Sequence, residues 1–284
     1  MNQTQLDTKN HDRDASNMTY VYPVVSRRAG GVSIGVNLNP NNACNWHCAY
    51  CQVPNLTRGV APDIDLELFR SELTAMLNDV MHGSFMFERV PMGCRQLCDI
   101  AISGNGEPTS CKSFDKVVEV IIQVMDIFSL LGVIPIRLIS NGSYVKKAHV
   151  QRGLHFMAAN KGEVWVKVDA AGEDAIERIN GVRLSSKRLF QQVEATSNIC
   201  SSWIQTCMLA WHGKLPAEAD IEDYLNFLRK LKVEGVPVQG VLLYGLARPS
   251  LQAEADYISA LDVAWMESMR DKIEAIGFLV KLSL

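Results

Sequence analysis

The sequence of 284 residues lacks the features of exported and membrane-spanning proteins. No hydrophobic run is long enough to cross a bilayer, and residues 1–17 are polar and lack the apolar core of a signal peptide. Eight cysteines in a chain of this length do not form the disulfide framework of a small secreted domain. These absences predict a cytoplasmic protein without membrane association. They also predict a disordered tail over residues 1–17 and a single domain over residues 18–284.

A strong charge of either sign is also missing. The net charge is −3 and the isoelectric point is near 6.1, which gives no global attraction to nucleic acids or anionic membranes. This balance disfavours an RNA substrate, although a local basic patch would be enough to bind one. Arg58 and Arg248 lie in loops near the expected site, where each is either an anion-binding residue or an ordinary surface arginine.

Short apolar strands alternate with amphipathic helices along the chain. The predicted strands are 32–38, 99–103, 134–140, 163–169, 202–209 and 238–243. The predicted helices are 65–82, 114–131, 146–160, 173–180, 184–200, 222–234 and 252–276, and residues 278–284 are predicted to add a strand or cover an edge. Repeated β-then-α units indicate parallel strands with helices outside them. Six units are fewer than the eight of a closed barrel, so the expected fold is α/β, a partial (β/α)6 TIM-like barrel.

The most specific feature is a cysteine loop after the first predicted strand, with Cys44, Cys48 and Cys51 at C-x3-C-x2-C spacing. A structural zinc site takes four ligands, usually as two separated pairs, and this loop has no second pair. A 4Fe–4S cubane bound by three thiolates has one iron open to another ligand. The spacing alone also allows buried apolar cysteines, zinc with His47 as a fourth ligand, or an electron-transfer cluster completed by a distant cysteine.

Polar segments follow the next three predicted strands. They are Ser-Gly-Asn-Gly-Glu-Pro-Thr at 103–109, Ser-Asn-Gly at 140–142 and Asp-Ala-Ala at 169–171. Functional groups in parallel α/β folds lie at the carboxyl ends of strands, so we expect these segments to meet. Glycines let a backbone approach a ligand closely, but Asn-Gly and Asp also form ordinary turns.

The cysteine loop resembles the signature of the radical S-adenosylmethionine (SAM) enzymes. The resemblance implies that Cys44, Cys48 and Cys51 bind a 4Fe–4S cluster, with the fourth iron chelated by the amino and carboxylate groups of SAM. In that family, reduction of the cluster cleaves SAM to methionine and a 5′-deoxyadenosyl radical, which abstracts hydrogen from a substrate. The family also implies an electron donor such as flavodoxin or ferredoxin.

Other segments match further parts of the family's pattern. The stretch 103–109 resembles the Gly-Gly-Glu-Pro element that binds the SAM amino group, with Asn105 in place of a small residue. Tyr50 matches an aromatic residue near the adenine, and Asn141 and Asp169 match ribose or methionine contacts. Tyr244 and Leu243 match an adenine-contact region much more weakly. The cofactor-binding residues implied by the resemblance are Tyr50, Gly104, Asn105, Gly106, Glu107, Ser140, Asn141, Asp169 and Leu243.

Within this superfamily, several segments are similar to the wyosine-synthase-like subgroup, which modifies tRNA. They are Asn-Trp-His-Cys-Ala-Tyr-Cys-Gln-Val-Pro, Gly-Glu-Pro-Thr, Ile-Ser-Asn-Gly, Val-Asp-Ala-Ala and Tyr-Gly-Leu-Ala-Arg-Pro. The resemblance implies a tRNA base as substrate. A peptide or small metabolite is the alternative among enzymes, and an electron carrier or metal-binding scaffold is the alternative outside them.

Characterised wyosine-base synthases carry a second cluster on cysteines upstream of the signature loop, and this chain has no cysteine before Cys44. The cysteines available for such a second cluster are Cys94, Cys98 and Cys111, with Cys200 or Cys207 as a fourth ligand. Packing is the more usual explanation of cysteines in or beside buried strands.

Overall fold

The computed structural model describes Leu6, residues 16–26 and residues 30–284, and an eight-stranded sheet is its framework. The strands, in both chain and spatial order, are β1 Val21–Ser26, β2 Gly31–Val36, β3 Leu97–Ile102, β4 Ile136–Ser140, β5 Glu163–Lys167, β6 Ser201–Met208, β7 Val238–Gly245 and β8 Leu279–Ser283. β1 pairs antiparallel with β2, and the other neighbours are parallel. This curled, mostly parallel sheet confirms the predicted partial-barrel fold.

Helices connect the parallel strands. They are α1 Leu66–His82, α2 Phe114–Ile127, α3 Ala148–Ala159, α4 Glu173–Asn180, α5 Ser186–Ser197, α6 Glu218–Val233 and α7 Val263–Glu274. Shorter pieces are the helix Phe85–Glu88, the 3₁₀ turns Pro108–Ser110 and Ala255–Tyr257, and the strand pairs Ala43–Cys44 with Thr57–Arg58 and Ala210–Trp211 with Ile258–Ser259. All six predicted β-then-α units are present.

Local chemistry sets several helix ends. The Asp65 carboxylate caps α1 by accepting hydrogen bonds from the backbone N–H groups of Glu67 and Leu68 at 3.1 and 3.0 Å. Gly181 ends α4 in the left-handed conformation, with a φ of 60°, which glycine adopts without steric cost. These signals explain why both helices were predicted close to their observed ends.

The pleat of the parallel strands separates two environments. Residues facing the helices form the apolar core: Val32, Ile34, Val36, Ile100, Ile102, Ile136, Leu138, Val164, Val166, Ile204, Val241 and Leu243. The intervening residues face the concave side and include Ser33, Asp99, Arg137, Lys167 and Gln205. Branched apolar side chains usually fill the interior of an α/β barrel, so this polar face indicates a place for a ligand.

The ends of the chain agree with the prediction only in part. No strand was predicted over Val21–Ser26, which extends the sheet as β1. Leu279–Ser283 forms β8, and a strand was one of the two predicted alternatives for residues 278–284. The helix predicted over 252–276 is confined to Val263–Glu274. The reason is tertiary: the Gln252 amide donates to the Val53 carbonyl at 2.8 Å, and Ile258–Ser259 pairs with another strand, so this stretch is held in a non-helical path.

The predicted tail falls mostly outside the described residues, which include only Leu6, Ser16 and Asn17 of it. Leu6 is buried, and its N–H donates to the Arg89 carbonyl at 2.8 Å. The division into a tail and a single domain stays a prediction.

Among the described residues, no helix combines the length and the apolar character needed to cross a bilayer.

Glu72 of α1 holds the segment before β1, because its buried carboxylate accepts from the N–H groups of Thr19 and Tyr20 at 2.7 and 2.8 Å. We expect Glu72→Ala to lower the free energy of unfolding by about 2–4 kcal/mol, since two charge-assisted hydrogen bonds are lost. Urea unfolding followed by circular dichroism measures the loss. Glu67→Ala, on the exposed side of the same helix, is expected to cost less than about 1 kcal/mol. Equal losses in the two variants would contradict this account.

Candidate functional site

The cysteine loop and the concave face of the sheet enclose a cavity of about 730 Å³. This volume lies within the range of about 300–1,000 Å³ that is typical of small-molecule sites. The predicted site residues that line it are Cys44, Cys48, Tyr50, Cys51, Gly104, Asn105, Gly106, Glu107 and Asn141. The structure therefore brings most of the predicted residues to one site.

Three predicted site residues lie behind this lining. Leu243 packs in the apolar core on the helix-facing side of β7, because the pleat turns Tyr244 to the cavity instead. Ser140 and Asp169 are also buried, and they contact residues that line the cavity. None of the three is among the residues that line the cavity, and their contact with a cofactor stays a prediction.

Hydrogen bonds to the backbone of the cysteine loop hold it from two sides. The N–H groups of His47 and Ala49 donate to the carbonyls of Asn180 and Ile179, at 3.0 and 2.8 Å. On the other side, the Ser250 hydroxyl donates to the Ala49 carbonyl at 2.7 Å. The conformation of the loop is thus set by contacts with residues that are distant in the sequence.

Arg58, predicted as a candidate for binding an anionic substrate, braces this loop. Its guanidinium donates to the Asn45 carbonyl at 2.8 Å and to the Gly181 carbonyl at the end of α4. Arg248, the other candidate, does line the cavity. Only Arg248 is therefore placed to meet a ligand there.

The three thiols of the loop share the cavity without converging on one point. No three His, Cys, Asp or Glu side chains in the described part of the chain are close enough to hold a single metal ion. A zinc ion needs its ligand atoms about 2.0–2.3 Å from one centre, whereas a cubane takes one thiolate at each of three irons. The donor set fits a cluster better than zinc.

Burial raises the pKa of the Cys48 thiol to about 12 and that of Cys44 to about 11. At Cys48 the Lys167 ammonium and an amide hydrogen bond oppose this rise, and at Cys44 a backbone hydrogen bond does so. Both groups are therefore protonated thiols in metal-free protein at neutral pH. Binding of a metal centre would release these protons.

The Gly-Asn-Gly turn packs against the base of the cysteine loop. A Cβ at Gly106 would lie 2.0 Å from the Ala43 carbonyl oxygen, and one at Gly104 would lie 2.3 Å from Asn37 Oδ1. These glycines therefore make room for the loop that carries the cysteines, and not only for a ligand. Within the described residues, the buried Asn105 Oδ1 accepts no hydrogen bond, which leaves an acceptor for a ligand N–H group.

Glu107 joins the end of β3 to the end of β4. Its carboxylate accepts from the Ser140 hydroxyl, the Thr109 N–H and the Asn141 N–H, at 2.7, 3.1 and 2.7 Å. Burial raises the pKa of Glu107, and these hydrogen bonds oppose the rise. The Asn141 amide in turn donates to Asn45 Oδ1 at 2.9 Å, so Glu107 orients a contact to the cysteine loop.

Lys167, which the sequence analysis missed, lies on the concave face of β5. Its ammonium donates to the Tyr50 hydroxyl at 2.5 Å and lies 3.9 Å from Asp169 Oδ2, which accepts from the same hydroxyl at 2.5 Å. Burial lowers the pKa of Lys167, but Asp169 and other acidic neighbours raise it well above its ordinary value. A fixed positive charge therefore lies beside Cys48. A lysine directly after the buried apolar run Val-Trp-Val at 164–166 was the available sequence signal.

A deep polar group, formed by Ser33, Asp99, Arg137 and Glu163, was also missed. The Arg137 guanidinium contacts Asp99 Oδ2 and lies 3.5 Å from Glu163 Oε1, and the Ser33 hydroxyl donates to Asp99. The same guanidinium lies 5.2 Å from the centre of the Trp165 ring. Ser33, Asp99, Arg137 and Trp165 line the cavity, so a ligand in its deeper part meets polar and aromatic groups.

The cysteines considered for an auxiliary cluster do not lie together. Cys94 precedes β3 and Cys98 is its second residue, whereas Cys111 follows the turn beyond the other end of that strand. The intervening strand separates them by roughly 3.3 Å per residue. Cys200 precedes β6, where its thiol donates to the Gly162 carbonyl at 3.3 Å. Cys207 lines the main cavity. The cysteines of this set therefore lie at opposite ends of the strands.

No known protein-family profile matches this sequence. A curated protein described as GTPase Obg, from Brachyspira hyodysenteriae, is 29% identical over 136 residues. That match covers 46% of this chain and only 17% of the relative, so it assigns no activity to this chain.

Solved structures give a broader likeness. A radical SAM methyltransferase from Sphaerobacter thermophilus matches with a TM-score of 0.61 and 13% identity, over 89% of this chain and 66% of that one. SuiB of Streptococcus suis matches with a TM-score of 0.54 and 12% identity, over 85% of this chain and 46% of that one. SuiB bound to SAM gives a TM-score of 0.51 and 12% identity, over 87% of this chain and 45% of SuiB. The chain spans about half the length of SuiB. At these identities the likeness establishes a shared fold and not an activity.

The buried thiols give a chemical prediction for metal-free protein. We expect iodoacetamide at pH 8 to alkylate Cys48 at least about a hundredfold more slowly than a free thiol, because the reactive thiolate is scarce when the pKa is near 12. The rate is expected to keep rising with pH through pH 10. Mass spectrometry of the labelled peptides measures it, with urea-unfolded protein as control. A plateau below pH 9 in the folded protein would show that Cys48 is not shielded.

Proposed function

We propose that this protein is a radical SAM enzyme in which Cys44, Cys48 and Cys51 bind a 4Fe–4S cluster. The observation that carries the proposal is the shared cavity: three thiols at signature spacing line it together with the Gly-Asn-Gly turn and Asn141. When bound, the cluster and SAM supply a one-electron cleavage that yields methionine and a 5′-deoxyadenosyl radical. The common fold with a radical SAM methyltransferase supports this proposal.

The residues present suit SAM as well as the cluster. Asn105 Oδ1 accepts no hydrogen bond from the described residues, so it offers an acceptor for the ammonium of the methionine portion, on the turn packed against the base of the cysteine loop. The Lys167 ammonium partly balances the negative charge of the thiolates. Glu107 accepts hydrogen bonds from this chain's own residues, so its role is to orient Asn141. Walls formed by the concave sheet would limit the access of bulk water to the radical chemistry.

In this proposal, the reacting group of the substrate binds in the deeper part of the cavity. Arg137, Asp99 and Trp165 line that part, and Gln205 brings a buried Oε1 that accepts no hydrogen bond from the described residues. These side chains would position a polar group with N–H or O–H donors. The reaction also needs a one-electron donor, such as flavodoxin or ferredoxin.

For the substrate we infer a tRNA base, on the strength of the motifs similar to the wyosine-synthase-like subgroup. Binding of unmodified tRNA to the reconstituted protein is expected to weaken steeply as salt rises from 50 to 200 mM, since phosphate contacts release counterions. Fluorescence anisotropy with labelled tRNA measures this dependence, and a single-stranded DNA of equal length is the control. An absence of binding at low salt would instead assign the site to a peptide or small metabolite.

Reductive cleavage of SAM is the direct test of the enzyme class. Anaerobically reconstituted protein treated with dithionite is expected to form 5′-deoxyadenosine, and Cys48→Ala is expected to form none, because that thiolate is a required ligand. Chromatography of the products measures both. Cys94→Ala, which removes a cysteine outside the loop, is expected to retain the activity. Equal product from Cys48→Ala, or a four-iron cluster whose EPR spectrum SAM does not perturb, would overturn the proposal.

A further inference from the structure

The carboxyl end of α4 holds the centre of the cysteine loop. The two residues that flank Cys48, His47 and Ala49, donate their backbone N–H groups to the carbonyls of Asn180 and Ile179 at 3.0 and 2.8 Å. A cysteine bonded through both neighbours cannot shift relative to the helix end without breaking one of these bonds. The position of Cys48 is therefore fixed by α4.

Gly181 makes this close approach sterically feasible. Its φ of 60° is left-handed, and a Cβ at this position would lie 2.6 Å from the His47 carbonyl oxygen. A side chain here would strain the backbone and push the loop away. The helix end is thus shaped to meet the cysteine loop, and Asn180 comes immediately before it in the sequence.

The Asn180 side chain reaches the sulfur of Cys48. Asn180 is 1% exposed, and its Nδ2 lies 3.4 Å from Cys48 Sγ and 2.7 Å from Asp169 Oδ2. An ionised carboxylate only accepts hydrogen bonds, so Asp169 must face the amide nitrogen and not the amide oxygen. The two N–H groups of the amide are then directed to a carboxylate and to a sulfur.

Asp169 is itself held in place. Its Oδ1 accepts from the Cys207 backbone N–H at 2.8 Å, and its Oδ2 accepts from the Tyr50 hydroxyl at 2.5 Å. A carboxylate fixed at both oxygens leaves Asn180 little freedom to rotate. The donor directed at Cys48 is therefore pre-oriented by the protein.

We propose that Asn180 is a positioning residue that raises the reduction potential of the cluster by donating an N–H to the Cys48 sulfur. This inference rests on the proposed function, because it requires a cluster on the cysteine loop. The reduced cluster carries one more negative charge than the oxidised one. A hydrogen bond to a ligand sulfur stabilises that charge, so the reduced state is favoured.

The test compares cluster potentials in Asn180→Leu and Asn180→Ala with the wild type. We expect all three proteins to bind four irons, with midpoint potentials more negative in both variants because the donor is gone. EPR-monitored redox titration measures the potential, and iron analysis confirms loading. Asn160→Leu is the matched control, since Asn160 also ends a helix and its amide donates to the Phe156 carbonyl at 2.9 Å. Its potential is expected to equal that of the wild type.

A second measurement does not depend on a bulky substitution. Exchange into D₂O is expected to shift the Fe–S stretching bands in resonance Raman spectra of the wild type more than those of Asn180→Ala, because an exchangeable N–H next to the sulfur is lost. Fully loaded variants with wild-type potentials, or equal deuterium shifts, would overturn the inference and leave the proposed function intact. A wild-type protein that binds no cluster would overturn the proposed function instead.

Discussion

The two-residue pleat of the parallel strands determines which side chains lie on each face of the sheet. On the outer face, side chains such as Ile34, Ile100 and Leu138 pack against the helices, and burial of that surface stabilises the sheet. The concave face is free to carry polar groups such as Asp99 and Arg137. Burying these charges costs desolvation free energy, which their pairing offsets. The stability of the protein thus comes from one face and its candidate site from the other.

The site depends on loops that support one another. Asn37, at the end of β2, accepts from the Asn105 N–H at 3.0 Å, and Asn141, after β4, donates to Asn45 at 2.9 Å. Asn180 adds the support from α4. The cysteine loop has almost no regular structure of its own, so its shape is a property of the assembled sheet.

The sequence predicted the components of the site better than their orientation. Apolar strands followed by polar turns were enough to place Cys44, Gly106 and Asn141 at the same edge of a parallel sheet. They did not reveal which residues of a strand face inward, because a shift of one residue exchanges the two faces. Tyr244 and Leu243 were named together, and only the structure shows that Tyr244 lines the cavity while Leu243 packs in the core. Lys167 was overlooked for the same reason, because the neighbouring strands determine which residues of a strand face the cavity.

Asp169 makes several contacts at once, so the effect of replacing it cannot be assigned to any single contact. Its carboxylate accepts from Cys207, Tyr50 and Asn180 together, so replacing it would release the cysteine loop, the cavity wall and β6 at the same time. The effects of such coupled contacts are not additive, and a loss of activity would not identify the contact responsible. Among the described residues, the Asn180 amide donates to the Asp169 carboxylate and to the Cys48 sulfur. A change at Asn180 therefore removes one contact of the carboxylate together with the hydrogen bond to sulfur, whereas a change at Asp169 removes the whole scaffold that orients that bond.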